Sequence, residues 1–201
     1  MRKMLRTALL LLIAVCAFRV GSAVKDRQLL REQVIRLHVV ADSDSAEDQA
    51  LKLQVRDAVT GYLTGILEDI TDVEKAKEYL AQELPRLKEL AEQTLARAGC
   101  SDPVVVSLEE EAFDTRYYDT FTLPAGVYEA LRITIGSGEG KNWWCVVFPQ
   151  FCFGEEEFSD AAVGAGFPDG LSATLQGKEG YELRFWLLDW LGQLENFLRF
   201  G

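Results

Sequence analysis

The residues with the clearest chemical potential are one histidine and one cysteine in separate apolar segments. His38 is the only histidine in the chain, which excludes every zinc site built from several histidines. Cys145 and His38 are candidates for a nucleophilic pair in which the imidazole deprotonates the thiol. The apolar Trp-Trp-Cys-Val-Val run disfavours a thiolate, however, and buried histidines are more often simply hydrogen-bonded. The GxSxG motif of many serine hydrolases is also missing, so no sharp signature of catalysis exists.

Three cysteines follow the N-terminal leader: Cys100, Cys145 and Cys152. In an oxidising compartment, the six residues between Cys145 and Cys152 permit a loop-closing disulfide. The sequence does not set the Cα separation that such a bond requires. Three buried free thiols are the favoured interpretation, and the disulfide is the alternative.

An acidic cluster, Asp42, Asp44, Glu47 and Asp48, lies beside a predicted helix start, where the helix dipole favours carboxylates without a metal. The EF-hand pattern fails, because Ala46 stands where an oxygen ligand is needed and Glu47 stands where glycine is needed. We predict helix capping and no metal, with a weak calcium site as the alternative. The acidic run Glu109–Glu111 is interpreted as a solvated strand end.

A glycine-rich segment precedes Lys141, with glycines at positions 136, 138 and 140. A P-loop would need glycine where Ile135 stands and Ser or Thr where Asn142 stands, followed by a helix. An apolar, strand-like run follows instead. We therefore predict no nucleotide and no other cofactor.

Alternating apolar residues predict strands around these groups. Val34–Ala41 carries Arg36 and His38 on one face and aliphatic side chains on the other. Further strands are predicted at Pro103–Glu109, Tyr117–Leu123, Val127–Ile135 and Trp143–Phe148, the last two forming a hairpin. Because neighbouring strand residues point to opposite faces, Trp143 and Trp144 cannot fill the same core.

Capping signals predict the helices. Ser45 and Asp48 start a helix at Ala46, and Thr71 with Glu74 starts a second one that Pro85 should kink or restart. Residues 154–180, rich in glycine and acidic groups, are predicted to form a long surface loop with at most one helical turn. Tyr181–Phe200 is predicted as a final helix with two apolar stripes, favoured as a core element, with partner or membrane binding as the alternative.

These elements predict an α+β fold in which a small, mostly antiparallel sheet packs against an antiparallel helix pair and a C-terminal aromatic-rich helix. Residues 1–23 consist of basic residues, an uncharged apolar run and then Gly-Ser-Ala, which is the layout of a secretory signal peptide. A short membrane anchor is the alternative. The following residues, 24–201, suit a single extracytoplasmic domain.

Charge excludes one class of partner. The chain has 21 Lys and Arg against 32 Asp and Glu, and removing the four basic leader residues leaves a formal charge of −15. Nucleic acids and anionic lipids attract basic surfaces, so an acidic domain is repelled by both. We predict no nucleic-acid partner.

Two long motifs carry a family resemblance: IRLHVVADSDSAEDQALKLQVRDAV at Ile35–Val59 and GEGKNWWCVVFPQFCF at Gly138–Phe153. With them the chain resembles the stage II sporulation protein R family of endospore-forming bacteria. Pro149-Gln150 stands where the family often has Pro-Pro, a departure confined to that turn. The resemblance implies a secreted, non-enzymatic signal, made in the forespore and exported into the space between the two septal membranes. There it would activate a membrane-embedded aspartic protease that cleaves a pro-sigma factor of the mother cell.

No catalytic residue comes with this resemblance. The candidate partner-binding residues are polar or aromatic groups at the ends of elements: His38, Asp42, Asp44, Lys141, Asn142, Trp143 and Trp144. Membrane proximity would come through the receptor or through an uncleaved leader. One alternative is an extracytoplasmic Cys145/His38 hydrolase or transferase acting on peptide or cell-wall material. Another is a structural protein held at a membrane by its leader and its aromatic helix.

Overall fold

The computed structural model describes residues 1–149 and 158–200, and within them the predicted α+β class is confirmed. The helices are α1 (Arg2–Gln33), α2 (Ala46–Leu67), α3 (Val73–Arg97), α4 (Phe158–Gly164), α5 (Asp169–Leu175) and α6 (Glu182–Phe200). The strands are β1 (Ile35–Val40), β2 (Val104–Phe113), β3 (Arg116–Tyr117), β4 (Thr122–Leu123), β5 (Gly126–Ile135) and β6 (Asn142–Phe148).

The chain forms two compact units. Unit 1 comprises Met1–Arg31, Ala112–Val127 and Phe167–Gly201, and unit 2 comprises Glu32–Glu111 and Tyr128–Gly166. The chain passes between the units four times, so neither unit is one continuous stretch of sequence. The assignment of residues 24–201 to one domain stays a prediction.

The main sheet has the strand order β2-β5-β1-β6. β1 runs parallel to β5, with Leu37 opposite Leu131, and antiparallel to β6, with Leu37 opposite Cys145. The predicted hairpin between β5 and β6 is therefore wrong, since β1 lies between those two strands. The physical reason is burial: every residue of β1 is buried, and an inner position covers the backbone of this strand on both edges.

One face of this sheet forms the core of unit 2 with α2 and α3. From β1 the core takes Ile35, Leu37 and Val39, which alternate as predicted. The two helices supply apolar side chains at helical spacing: Leu51, Val55, Val59, Leu63, Leu67, Val73, Ala76, Leu80, Leu87, Ala91 and Leu95. The opposite face of β1 carries Arg36 and His38, also as predicted.

Side chains cap the starts of α2 and α3. Ser45 caps α2 by accepting a hydrogen bond from the Asp48 amide at 3.0 Å, which confirms the predicted cap. The cap of α3 is Asp72 rather than Thr71, because the Asp72 carboxylate accepts from the Lys75 amide at 2.9 Å. α3 continues through Pro85 without restarting.

Two other predictions need correction. The predicted strand Tyr117–Leu123 is interrupted: Tyr117 ends β3, Thr122–Leu123 form β4, and a tight turn joins them, with the Tyr118 amide donating to the Phe121 carbonyl at 2.9 Å. The predicted loop 154–180 contains α4 and α5, while residues 154–157 lie outside the described residues. Buried apolar side chains explain the order of the described part: Phe158, Ala162, Phe167, Leu171 and Leu175.

In unit 1, α6 packs beside the C-terminal part of α1. The Arg184 guanidinium contacts the Asp26 carboxylate at 2.7 Å, and Arg27 pairs with Glu195. Within α6, the buried residues are Leu188 and Gly192. The favoured interpretation of α6 as a core helix is therefore wrong for most of its apolar surface, because several large apolar side chains are exposed: Trp186, Trp190, Leu194, Phe197, Leu198 and Phe200.

α1 continues ten residues beyond the predicted leader boundary at residue 23. Among the residues that the structure describes, it is the one helix long and apolar enough to cross a membrane. A signal sequence near the N-terminus satisfies the same criterion.

Candidate functional site

The two motifs that carry the family resemblance meet at one end of the main sheet. β1 ends at Val40, and the acidic turn 42–45 follows it. The glycine-rich loop 136–141 connects β5 to β6, the two strands that flank β1, so it spans the end of β1. We call the group formed by Asp42, Asp44, Lys141 and Asn142 the strand-end surface.

Hydrogen bonds join the acidic turn to the glycine-rich loop. The Asp42 carboxylate accepts from the Ser137 amide at 2.5 Å, and the Asp44 carboxylate accepts from the Lys141 amide at 2.8 Å. The backbone adds bonds from the Glu139 amide to the Asp42 carbonyl, 3.1 Å, and from the Gly140 amide to the Ala41 carbonyl, 2.9 Å. These bonds hold the glycine-rich loop against the acidic turn.

The glycines of this loop permit the close approach. Gly136 has a φ of +58°, and a Cβ there would lie 2.1 Å from the Asp42 Oδ1 atom. A Cβ on Gly140 would lie 2.3 Å from the Ser43 carbonyl oxygen. Gly136 and Gly140 thus allow close packing against the acidic turn, which accounts for these two glycines without a phosphate ligand.

Lys52 supports the same region from α2, although sequence reasoning did not single it out. Its ammonium donates to the Lys141 carbonyl at 2.8 Å and to the Gln49 side chain at 2.6 Å. Burial lowers the pKa of Lys52, and the nearby Asp44 carboxylate opposes that change. A buried ammonium with fixed acceptors therefore ties α2 to the glycine-rich loop.

Serine side chains of the acidic turn form hydrogen bonds with Asp48. Ser43 donates to the Asp48 carboxylate, and hydrogen bonds from Ser43 and Ser45 lower the pKa of Asp48. Asp42, Asp48 and Asp102 have carboxylate oxygens within 4.8 Å of one another, an arrangement that exposed acidic groups commonly form without an ion. Hydrogen bonding and capping account for Asp42 and Asp48, so this cluster supports no metal proposal.

His38 lies in a polar network on the other face of the sheet. Its Nδ1 atom is 2.9 Å from the Glu111 carboxylate and its Nε2 atom is 2.8 Å from Asn142 Oδ1. Glu111 also accepts from the Arg132 guanidinium at 2.5 Å. Burial raises the pKa of Glu111, but His38 and Arg132 outweigh that effect and hold it below its ordinary value.

Glu111 and Arg132 were missed as members of this network. Glu111 was interpreted as part of a solvated strand end, yet it is only partly exposed. If the alternation of β2 is continued, Val104 and Val106 face the core and Glu111 lies on the other face of the sheet. That is the face that carries His38. The required signal was therefore present, but the strand was predicted four residues too short.

The adjacent tryptophans separate as strand geometry requires. Trp143 packs against the core of unit 2, with the Arg56 guanidinium 5.1 Å from its ring centre. Trp144 stacks on His38 with ring centres 5.7 Å apart and an angle of 19°. Both tryptophans are partly buried, and His38 is buried, so these three support the strand-end surface more than they form it.

Cys145 and His38 do not form a catalytic pair. Cys145 lies opposite Leu37 on the core face of the sheet, whereas His38 is on the other face. Cys145 is disulfide-bonded, so the favoured interpretation of three free thiols is wrong for this residue, while Cys100 is free. Cys152, the partner that the sequence offered for Cys145, lies outside the described residues, and that pairing stays a prediction.

Comparison with known proteins agrees with these motifs. The family model for stage II sporulation protein R matches residues 31–157. Stage II sporulation protein R of Bacillus subtilis (strain 168) is 35% identical over 186 residues, with 83% of each chain covered. No solved structure matches the chain. This similarity supports a role in sporulation. The similarity and the apolar helix α1 are together consistent with a secreted or extracytoplasmic protein. The chain belongs to the stage II sporulation protein R family.

Proposed function

We propose that the chain is a non-enzymatic signal that activates a membrane-embedded aspartic protease, which then processes a pro-sigma factor of the mother cell. The observation that carries this proposal is the strand-end surface. Two family motifs separated by about 80 residues are joined there by hydrogen bonds. Asp44, Lys141 and Asn142 are exposed on it, and Asp42 is partly exposed.

A fixed polar surface suits a binding signal. Because hydrogen bonds already order the turn and the loop, docking would cost less conformational entropy than docking of flexible segments. An activator needs only a higher affinity for the active state of its receptor than for the inactive state. A surface of this kind therefore meets the physical requirement without a catalytic centre.

The proposed place of action is the space between the forespore and mother-cell membranes. Support comes from the N-terminal apolar helix and from the acidic character of the rest of the chain, which lacks the charge for nucleic acid. Membrane proximity would come from the receptor or from a leader that stays attached. The alternative Cys145/His38 hydrolase or transferase loses its support, because the two side chains lie on opposite faces of the sheet.

The test is cleavage of the pro-sigma factor by the candidate protease reconstituted in vesicles, with the purified chain added from the extracytoplasmic side. Wild-type chain should trigger cleavage, whereas Asp44→Ala and Lys141→Ala should reduce it strongly. Asp69→Ala and Lys88→Ala are matched controls, since both residues are exposed elsewhere in unit 2. Circular dichroism must show the same helix content in all variants.

If wild-type chain triggers no cleavage by a responsive protease, activation is wrong. If the control variants fail as severely as the surface variants, the strand-end surface is not the docking site.

A further inference from the structure

α6 carries an exposed apolar face in unit 1. Leu183, Trp186, Trp190, Leu194 and Phe197 follow one another at helical spacing, and each is exposed by 41% or more. The rings of Trp186 and Trp190 stack with their centres 6.4 Å apart. Phe200 near the helix end is also exposed. A contiguous exposed apolar face of this kind marks a site of interaction.

α1 identifies the kind of partner. Its apolar part is almost entirely exposed. A hydrocarbon core is about 30 Å thick and accepts about 20 residues of helix, the length of the exposed portion of α1. Ala23, the last residue of the predicted leader, is fully buried in the folded chain.

α6 is fixed close to the point where α1 would leave the bilayer. Asp26 and Arg27 on α1 pair with Arg184 and Glu195 on α6. The exposed apolar part of α1 extends to Val20. Val20 is six residues before Asp26, a distance of about 9 Å along a helix. Insertion of α1 would therefore hold α6 at the depth of the membrane interface.

We propose that the exposed apolar face of α6 binds the surface of the phospholipid bilayer that α1 enters. Tryptophan is enriched at this interface, where an apolar ring meets hydrated headgroups. The polar residues of α6 carry both signs of charge, Glu182, Arg184, Asp189, Glu195 and Arg199, and the acidic chain is repelled by anionic lipid. The surface therefore fits zwitterionic phospholipid. This inference does not depend on protease activation.

The test places the full chain in phosphatidylcholine vesicles whose acyl chains are brominated, because bromine quenches nearby tryptophan emission. Two of the four tryptophans lie on the α6 face, so emission should fall by up to about half relative to unbrominated vesicles. Trp186→Phe with Trp190→Phe should remove most of the quenching. Leu183→Glu with Phe197→Glu keeps all four tryptophans and should reduce the quenching at least twofold.

Tyr79→Glu is the control, since Tyr79 is half-exposed on α3 in unit 2 and should leave quenching unchanged. Sedimentation with the vesicles verifies that α1 stays inserted in each variant, and circular dichroism verifies the fold. Equal wild-type emission in both kinds of vesicle would overturn the proposal. Quenching that survives the glutamate substitutions would also overturn it. So would quenching that appears only after a membrane protein is added to the vesicles.

Discussion

Replacement of Gly140 by alanine tests whether the glycine-rich loop and the acidic turn are locked together. The new Cβ would lie 2.3 Å from the Ser43 carbonyl oxygen, so the backbone must move about 0.7 Å to reach even 3.0 Å. Overpacking of this kind costs about 1–3 kcal/mol. The movement also strains the bonds from the Gly140 and Lys141 amides, each contributing about 0.5–1.5 kcal/mol. We expect a loss of about 2–4 kcal/mol in the free energy of unfolding.

The assay is urea unfolding of the purified chain in mild detergent, followed by circular dichroism. With a denaturant slope of about 2 kcal/mol per molar, the midpoint should fall by about 1–2 M. Gly61→Ala is the matched control, because Gly61 is exposed in α2 and its Cβ would meet nothing within 4 Å. That change should stabilise the helix by up to about 1 kcal/mol. Equal midpoints for Gly140→Ala and wild type would refute the locked arrangement.

Further predictions concern both units. Gly192→Ala should destabilise unit 1 by about 1–3 kcal/mol or more, measured by thermal unfolding, because its Cβ would lie 1.6 Å from the Ala125 carbonyl oxygen. Glu111→Gln should lower stability at pH 7, since the lowered pKa of Glu111 stabilises the fold above its ordinary value of 4.5. That difference should disappear in urea unfolding as the pH falls through the lowered pKa, and a pH-independent difference would contradict it. Asp44→Ala should cost about 1 kcal/mol and speed hydrogen exchange at the Lys141 amide, whereas Asp44→Asn keeps an acceptor and should cost less.

Much of the local structure could be predicted from sequence because its causes are local. Ser45 caps α2 through a residue three positions away, and the alternation of β1 places its aliphatic side chains Ile35, Leu37 and Val39 on the core face. The separation of Trp143 from Trp144 follows from strand geometry alone. Such signals need only a few neighbouring residues, although both faces of β1 are in fact buried.

The strand order could not be predicted in the same way. β5 and β6 are joined by a short loop, a pattern typical of a hairpin, but β1 from much earlier in the chain lies between them. Long-range pairing of this kind leaves no signal in either strand. The same insertion brings Asp42 and Asp44 to the glycine-rich loop, so the strand-end surface was predicted as two separate groups and is a single one.

Site-specific photo-crosslinking would test the central claim most directly. A photoreactive amino acid in place of Lys141 and, in a second chain, in place of Lys88 would be added to the reconstituted protease while cleavage of the pro-sigma factor is followed. The account predicts a crosslink to the extracytoplasmic part of the protease from position 141 and none from position 88. A crosslink from position 88 alone, or full activation without any crosslink from position 141, would contradict docking through the strand-end surface.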